Sequence, residues 1–349
     1  MEKVSVGVLG ATGLVGQTIV QLLSNHPWFE VREVAASERS AGRKYGEVME
    51  SRWSVSSAIP KKVKDLVLKE CKPDLDCKVA LSALDSGVAT EVEERFAKAG
   101  YIVSSNAKNH RMEEDVPLLI PEVNGEHISI IDSQRRARSW KGFIVTNPNC
   151  SVMGLALALK PIHDAFGVEK VMVTTMQAVS GAGYPGISSM DILGNVVPFI
   201  GDEEEKIESE TPKILGNVAG DRFNYADMKV SAQCNRVPVL NGHMESVSIK
   251  LSRKAKKEEI ITAIERFAPL KQVGLPSAPT RPVSYLREMN RPQPKLDVDA
   301  EGGMGVSVGR LRECNILDYK FTLLSHNLVR GAAGAAVLNA EFLKAKGYI

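Results

Sequence analysis

Apolar runs of strand length alternate with stretches of helical spacing over the first 150 residues. Val4, Val6 and Val8 predict a first strand, and Leu14 to Leu23 predicts a helix. Glu30 to Ala36 reads as a second strand and Val79 to Leu84 as a third. A helical stretch from Val88 to Ala99 leads into a fourth strand, Tyr101 to Ser105. Leu118-Leu119-Ile120 and Phe143-Ile144-Val145 complete the set. Such alternation marks a doubly wound parallel sheet with helices on both faces.

Past residue 150 the predicted strands lengthen and become more β-branched: Lys170–Gln177, Val230–Pro238, Ser246–Leu251, Gly305–Gly309 running into Arg310-Leu311, and Cys314–Leu324. Two helices, Glu203–Leu215 and Lys257–Phe267, interrupt them. Asn241-Gly242 between apolar runs predicts a two-residue hairpin turn. Leu275 to Asp297 reads as a long Pro-rich excursion without regular structure, a candidate contact between subunits. Leu328 to Lys346 predicts a small-residue helix that packs back on the first half. The expected architecture is a Rossmann-type parallel-sheet domain (1–150 with 327–349) and an α+β domain (151–326). The second is expected to carry a mixed, mostly antiparallel sheet.

Composition narrows the class. With 349 residues, 44% hydrophobic and 25% charged, the chain has the profile of a globular protein with ample core. A formal charge of +2 and no dense basic tract argue against a nucleic-acid surface. No apolar run approaches bilayer-spanning length, and the N-terminus enters a strand pattern at once, so a cytoplasmic protein is expected. The five cysteines are odd in number and scattered, and the six histidines form no ligand cluster. Reduced thiols and no metal are therefore expected.

The loop Gly10-Ala11-Thr12-Gly13-Leu14-Val15-Gly16 joins the first strand to the first helix. Its glycines permit a tight turn and bring backbone amides close to a pyrophosphate at the helix N-terminus. The second strand ends in Ser37-Glu38-Arg39-Ser40. An arginine flanked by hydroxyls suits a 2′-phosphate and hence NADP, whereas Glu38 turned inward would favour NAD.

Cys150, in Thr146-Asn147-Pro148-Asn149-Cys150-Ser151, precedes an apolar helix expected to end before Pro161, with Asn149 as N-cap. Unpaired amides and the helix dipole would favour the thiolate and hold an oxyanion. A buried inert thiol is the alternative. His243 follows the Asn-Gly turn and Arg236 lies seven residues earlier, so across a hairpin both could face one cleft. Glu210 and Lys213, three apart, share a helix face, as an exposed ion pair would.

Four motifs together are distinctive: the N-P-N-C-S run at Cys150, Q-A-V-S-G-A-G from Gln177, E-T-P-K-I-L from Glu210 and R-V-P-V-L-N-G-H from Arg236 to His243. With them the chain resembles the aspartate-semialdehyde dehydrogenases, particularly the archaeal and fungal branch, from the glycine loop to His326-Asn327-Leu328-Val329-Arg330-Gly331. That resemblance implies Cys150 as nucleophile and His243 as acid/base. It implies Arg236 and Glu210 on the substrate carboxylate and amino group, and Lys213 and Arg111 with Asn149 on phosphate. Gln177 would orient the acyl intermediate. Gly10, Thr12, Gly13, Leu14, Val15, Ser37, Arg39, Ser40, Ser82, Leu84, Ser180, Gly181 and Asn327 would contact NADP(H). The implied reaction interconverts L-aspartyl 4-phosphate and L-aspartate 4-semialdehyde in a homodimer or homotetramer, on the route to lysine, threonine, methionine and isoleucine. Malonyl-CoA reductases share most of these motifs. A dinucleotide-sensing protein without turnover is the reading from another class.

Overall fold

A computed structural model describes residues 2–349 of the chain. The strands are β1 (Val4–Leu9), β2 (Phe29–Ala36), β3 (Lys69–Glu70), β4 (Val79–Ser82), β5 (Ile102–Ser105), β6 (Phe143–Thr146), β7 (Val168–Gln177), β8 (Asn217–Ala219), β9 (Arg222–Asn224), β10 (Lys229–Arg236), β11 (His243–Leu251), β12 (Val283–Leu286), β13 (Val306–Glu313) and β14 (Tyr319–Ser325). The helices that matter here are α1 (Leu14–Leu22), α2 (Ser86–Ala99), α3 (Cys150–Phe166), α4 (Glu203–Ile214), α5 (Lys257–Arg266) and α6 (Gly334–Ala345).

The first sheet is wholly parallel in the order β3-β2-β1-β4-β5-β6. Strands β4, β5 and β6 are buried along their whole length, which is why they lack the apolar–polar alternation of a half-exposed strand. Gly10 closes β1 with φ +73°, and a Cβ there would lie 2.5 Å from the Ala83 carbonyl. A Cβ on Gly16 would lie 2.3 Å from the Gly10 carbonyl. Both glycines thus let α1 start against the ends of β1 and β4. Gly100, left-handed at φ 106°, ends α2.

The second sheet runs β10-β7-β11-β14-β13-β12 and is mixed. Three pairings are antiparallel (β7 with β11, β11 with β14, β14 with β13), while β10 with β7 and β12 with β13 are parallel. Helix α3 lies along its inner face, and their apolar side chains form one core with α5. The C-terminal helix returns to the first sheet: Val337, Leu338, Phe342 and Leu343 share a core with Val6, Val8 and Phe143. A buried bidentate pair, Arg330 to Glu122 at 2.7 and 2.8 Å, pins the segment leading into it.

Several expectations are corrected. Asn241-Gly242 is not a hairpin turn, because β10 and β11 are not neighbours; β7 lies between them. β10 runs parallel to β7 with Arg236 beside Gln177, and the connection crosses the end of β7 before β11 descends on its other side. Pro161 does not end α3, which continues to Phe166. The local cost of an interior proline, about 3 kcal/mol, is outweighed by burial of a helix that is apolar nearly all round. Leu118-Leu119-Ile120 forms only an isolated bridge, Leu118 to Thr146. The third strand stops at Ser82 and the last begins at Tyr319. The Pro-rich excursion contains β12 and a helical turn at Pro294–Asp297.

Candidate active site

Two adjoining cavities open along the ends of β1, β4, α1 and α3. One, about 490 Å³, is lined by Gly10, Thr12, Gly13, Ser37, Glu38, Lys72, Leu84 and Arg95, among others. The next, about 750 Å³, runs from Thr12, Gly13, Leu14, Val15 and Leu84 past Arg111, Asn149 and Cys150 to Ser180, Gly181 and Asn327. A glycine cradle that no Cβ could enter, facing the start of α1, fits the pyrophosphate of a dinucleotide. The two cavities share Thr12, Gly13 and Leu84, so one extended ligand can span from the second strand to the thiol.

Three of the expected cofactor residues are placed otherwise. The Ser82 hydroxyl is buried and donates to Glu93 Oε1 at 2.6 Å. Ser40 is buried in a turn on Ser37, and Arg39 is exposed beside the cavity rather than in its lining. Lys72 and Arg95, cations the sequence reading passed over, stand in the wall instead. Asn327 lines the cleft, but both ends of its amide are engaged: it donates to Ser180 Oγ at 2.8 Å and accepts from Gly242 N–H at 2.9 Å.

Asn149 caps α3, its Oδ1 accepting from Ser151 N–H at 2.9 Å and Val152 N–H at 3.4 Å. Cys150 is therefore the first residue of the helix. Its Sγ lies 3.1 Å from Nε2 of His243. His243 is fully buried at the start of β11, and its Nδ1 accepts from the Ala178 N–H at 3.0 Å. Arg236 reaches the same spot from β10, its Nη1 donating to the Ala178 carbonyl at 2.8 Å, while its buried Nε–H has no partner among the described residues. Gly181 roofs both: a Cβ there would sit 2.9 Å from Arg236 Nη1 and 3.1 Å from His243 Cε1.

The electrostatics correct one expectation. Burial pushes the Cys150 thiol up to about 12, and the Glu203 carboxylate adds to this; Arg111, Arg236 and Lys206 pull the other way without prevailing. Burial likewise drives His243 down to about 3, reinforced by the Arg236 charge. Burial thus disfavours the charged form of both groups.

The helix α4 residues are also corrected. Glu210 does not face the cleft; it accepts from Arg111 Nη1 at 2.9 Å and from the Asn149 backbone N–H at 2.7 Å. Lys213 is fully buried, donating to the carbonyls of Arg111 and Glu113 at 2.7 Å and of Val116 at 3.1 Å. Both brace the Arg111 loop from behind. The groups at the cleft are Glu203 and Lys206. Glu203 accepts from Asn149 Nδ2 at 2.9 and 2.8 Å, from Gln177 Nε2 at 3.2 Å and from Lys206 Nζ at 2.9 Å. Burial pushes its carboxyl up, but the Lys206 charge and these donors outweigh it and hold the group below its ordinary value. The same Glu-x-x-Lys spacing occurs twice, seven residues apart. Seven residues are about two turns, so both pairs share one helix face, and spacing alone cannot say which turn meets the cleft.

A dinucleotide groove continuous with a cysteine–histidine pair defines a dehydrogenase-type site working through a thiol. Comparison with known proteins agrees. The family model for the semialdehyde dehydrogenase NAD binding domain matches residues 5–131, and that for the semialdehyde dehydrogenase dimerisation domain matches residues 159–330. An aspartate-semialdehyde dehydrogenase of Methanothermobacter thermautotrophicus is 52% identical over 345 residues, 97% of this chain and 99% of that one. One from Archaeoglobus fulgidus is 49% identical over 98% of both chains. The crystal structure of the Candida albicans aspartate-semialdehyde dehydrogenase with NADP superposes with a TM-score of 0.91 at 44% identity, covering 100% of both chains. The chain belongs to the aspartate-semialdehyde dehydrogenase family.

Proposed function

We propose that this chain is an NADP-dependent aspartate-semialdehyde dehydrogenase, converting L-aspartyl 4-phosphate to L-aspartate 4-semialdehyde, reversibly, through a thioester on Cys150. Such a step serves the synthesis of lysine, threonine, methionine and isoleucine. The observation that carries the reading is the Cys150 Sγ–His243 Nε2 contact of 3.1 Å at the floor of the cleft that continues the glycine-loop groove.

The sulfur attacks the acyl phosphate, and the amides opening α3 favour the tetrahedral oxyanion. Arg236, with its spare N–H, suits the substrate's α-carboxylate. Glu203, held as an anion by Asn149, Gln177 and Lys206, suits the α-amino group. Lys206 and Arg111 border the cleft where phosphate departs. Gln177 is buried, one amide N–H bound to Glu203, and orients that carboxylate. The dinucleotide would be held by Gly10, Thr12, Gly13, Leu14, Val15, Ser37, Leu84, Ser180, Gly181 and Asn327, with Lys72 and Arg95 near the 2′-phosphate end. When bound, NADPH supplies the hydride that reduces the thioester. Return of the carbonyl then expels the Cys150 sulfur and frees the aldehyde.

Cys150→Ala is expected to abolish phosphate-dependent NADP reduction with the semialdehyde while NADPH still binds, measured by quenching of protein fluorescence. Turnover surviving in that variant sinks the assignment.

A further inference from the structure

Arg330 is fully buried, and its guanidinium forms a bidentate pair with Glu122 at 2.7 and 2.8 Å, 208 residues away in sequence. Stability alone does not account for such a pair, because desolvation of two charges takes back most of their attraction. The Arg330 Nε–H, buried without a partner among the described residues, adds to that cost. A guanidinium fork on a carboxylate does give orientation: two parallel hydrogen bonds fix one segment against another.

Glu122 stands on a stiff mount. It lies in the helical turn Pro121–Asn124, entered through a proline and braced by buried Asn124. Asn124 Oδ1 accepts from the Ile120 N–H at 2.8 Å, and its Nδ2 donates to the Leu118 carbonyl at 2.8 Å. Arg330 belongs to the π-helical turn Val329–Ala333, where the chain passes from β14 to α6. Two wide backbone bonds of 2.9 Å hold that turn, from Gly331 N–H to the His326 carbonyl and from Ala333 N–H to the Leu328 carbonyl. The residues around Arg330 face the site. Asn327, Leu328, Gly331 and Ala332 line the cleft, and Gly331 meets Cys150 with no room for a Cβ.

We infer that Arg330, clamped by Glu122, is a positioning residue for the proposed reaction, holding the turn that stands between the dinucleotide cleft and the sulfur. The glycine loop belongs to the first sheet and Cys150 to the helix over the second. Reduction of a thioester on Cys150 needs both in fixed register, and the passage from one sheet to the other touches both. The fork ties that passage to the segment between β5 and β6, while Gly331 rests on the nucleophile. Neither Arg330 nor Glu122 lines the cleft or touches a reacting atom. They act through Gly331 and its neighbours.

Arg330→Met alone would strand the Glu122 charge in the interior, and lost folding would obscure the role. Arg330→Met combined with Glu122→Leu removes both charges at similar volume, an exchange that buried ion pairs tolerate. That double variant is expected to melt near the wild-type temperature. Its kcat should fall roughly 10²-fold, the cost of about 1 Å of misplacement at a reacting centre, with the KM for L-aspartate 4-semialdehyde unchanged. Its crystal structure should show the turn Val329–Ala333 shifted against Cys150. A wild-type kcat, or an unmoved turn, overturns the proposal. Arg330→Lys gives a second arm, because it keeps the ion pair and loses the fork. A positioning pair predicts for it a kcat between those of wild type and double variant. A purely stabilising pair predicts the wild-type kcat, and that result also overturns the proposal. Were the wild type to show no phosphate-dependent turnover, the proposed reaction would fall, and the displacement of the turn would still decide whether Arg330 positions it.

Discussion

Asn149 meets three requirements at once. Its Oδ1 caps α3, its Nδ2 holds Glu203, and its backbone N–H is held by Glu210. The residue before the nucleophile is thereby fixed against both carboxylates of α4, and the two carboxylates have different duties. Glu203→Gln is expected to raise the KM for L-aspartate 4-semialdehyde roughly tenfold to a hundredfold, the value of one charge-assisted hydrogen bond, with NADPH affinity unchanged. Glu210→Gln is expected to act on kcat, because it loosens Arg111 and the turn that presents Cys150. Steady-state kinetics of the two variants separate the duties; a KM effect confined to Glu210→Gln would return the amino-group role to that residue. Glu245 offers a contrasting case. It is fully buried on β11, neither carboxyl oxygen has a partner among the described residues, and burial raises its pKa well above the ordinary 4.5. The folded state therefore holds this proton more tightly than the unfolded chain. The stability this group contributes is therefore fully present below 4.5 and declines as pH climbs past it. Glu245→Gln removes that decline, so its stability relative to wild type should be greater at pH 8 than at pH 5. Denaturant titrations at pH 5 and pH 8 check it; a gap independent of pH means that Glu245 is not held protonated.

At the scale of elements, the nucleophile depends on the close approach of two segments. α3 carries Cys150 at its first position, and a single π-helical turn at Val329–Ala333 brings Gly331 against it. A Cβ at Gly331 would fall 2.7 Å from the Cys150 Cβ and 3.1 Å from its Cα, neither of which is a flexible tip. Gly331→Ala is expected to cost about 1–3 kcal/mol of stability by overpacking and to lower kcat on the order of a hundredfold by displacing the sulfur. Thermal melts and assays test both, and an active, equally stable variant would show that the two segments yield. Between β10 and β11, the motif Arg236 to His243 has the local signature of a hairpin. Both residues do reach one site, but because the connection passes over the end of β7. An Asn-Gly step specifies a local reversal, and Gly242 has the positive φ it needs, 98°. Which strand lies between the two arms is a matter of sheet pairing, set by contacts far apart in sequence.

Across the whole molecule, the second sheet and its flanking loops leave large apolar side chains in the open. Met190 is 89% exposed, Phe199 72% and Leu193 71%, all within the part matched by the dimerisation-domain model. We propose that a second copy of the chain covers them. Met190→Asp combined with Phe199→Asp should shift the sedimentation mass toward a single chain, and an unchanged mass would place the contact elsewhere, for instance at the Pro-rich segment around Met289. The strand–helix alternation of the first domain, the glycine cradle and the capped helix behind Cys150 were determined by sequence alone. Each depends on neighbours a few residues apart: apolar periodicity, a turn that only glycine permits, a side chain bonding two residues ahead. Tertiary structure alone decided which turn of α4 meets the cleft, that Lys213 and Glu210 brace the Arg111 loop from behind, and that burial disfavours both the thiolate and the imidazolium. These follow from burial and from partners nearly a hundred residues distant, and no local pattern encodes the desolvation that a finished fold imposes.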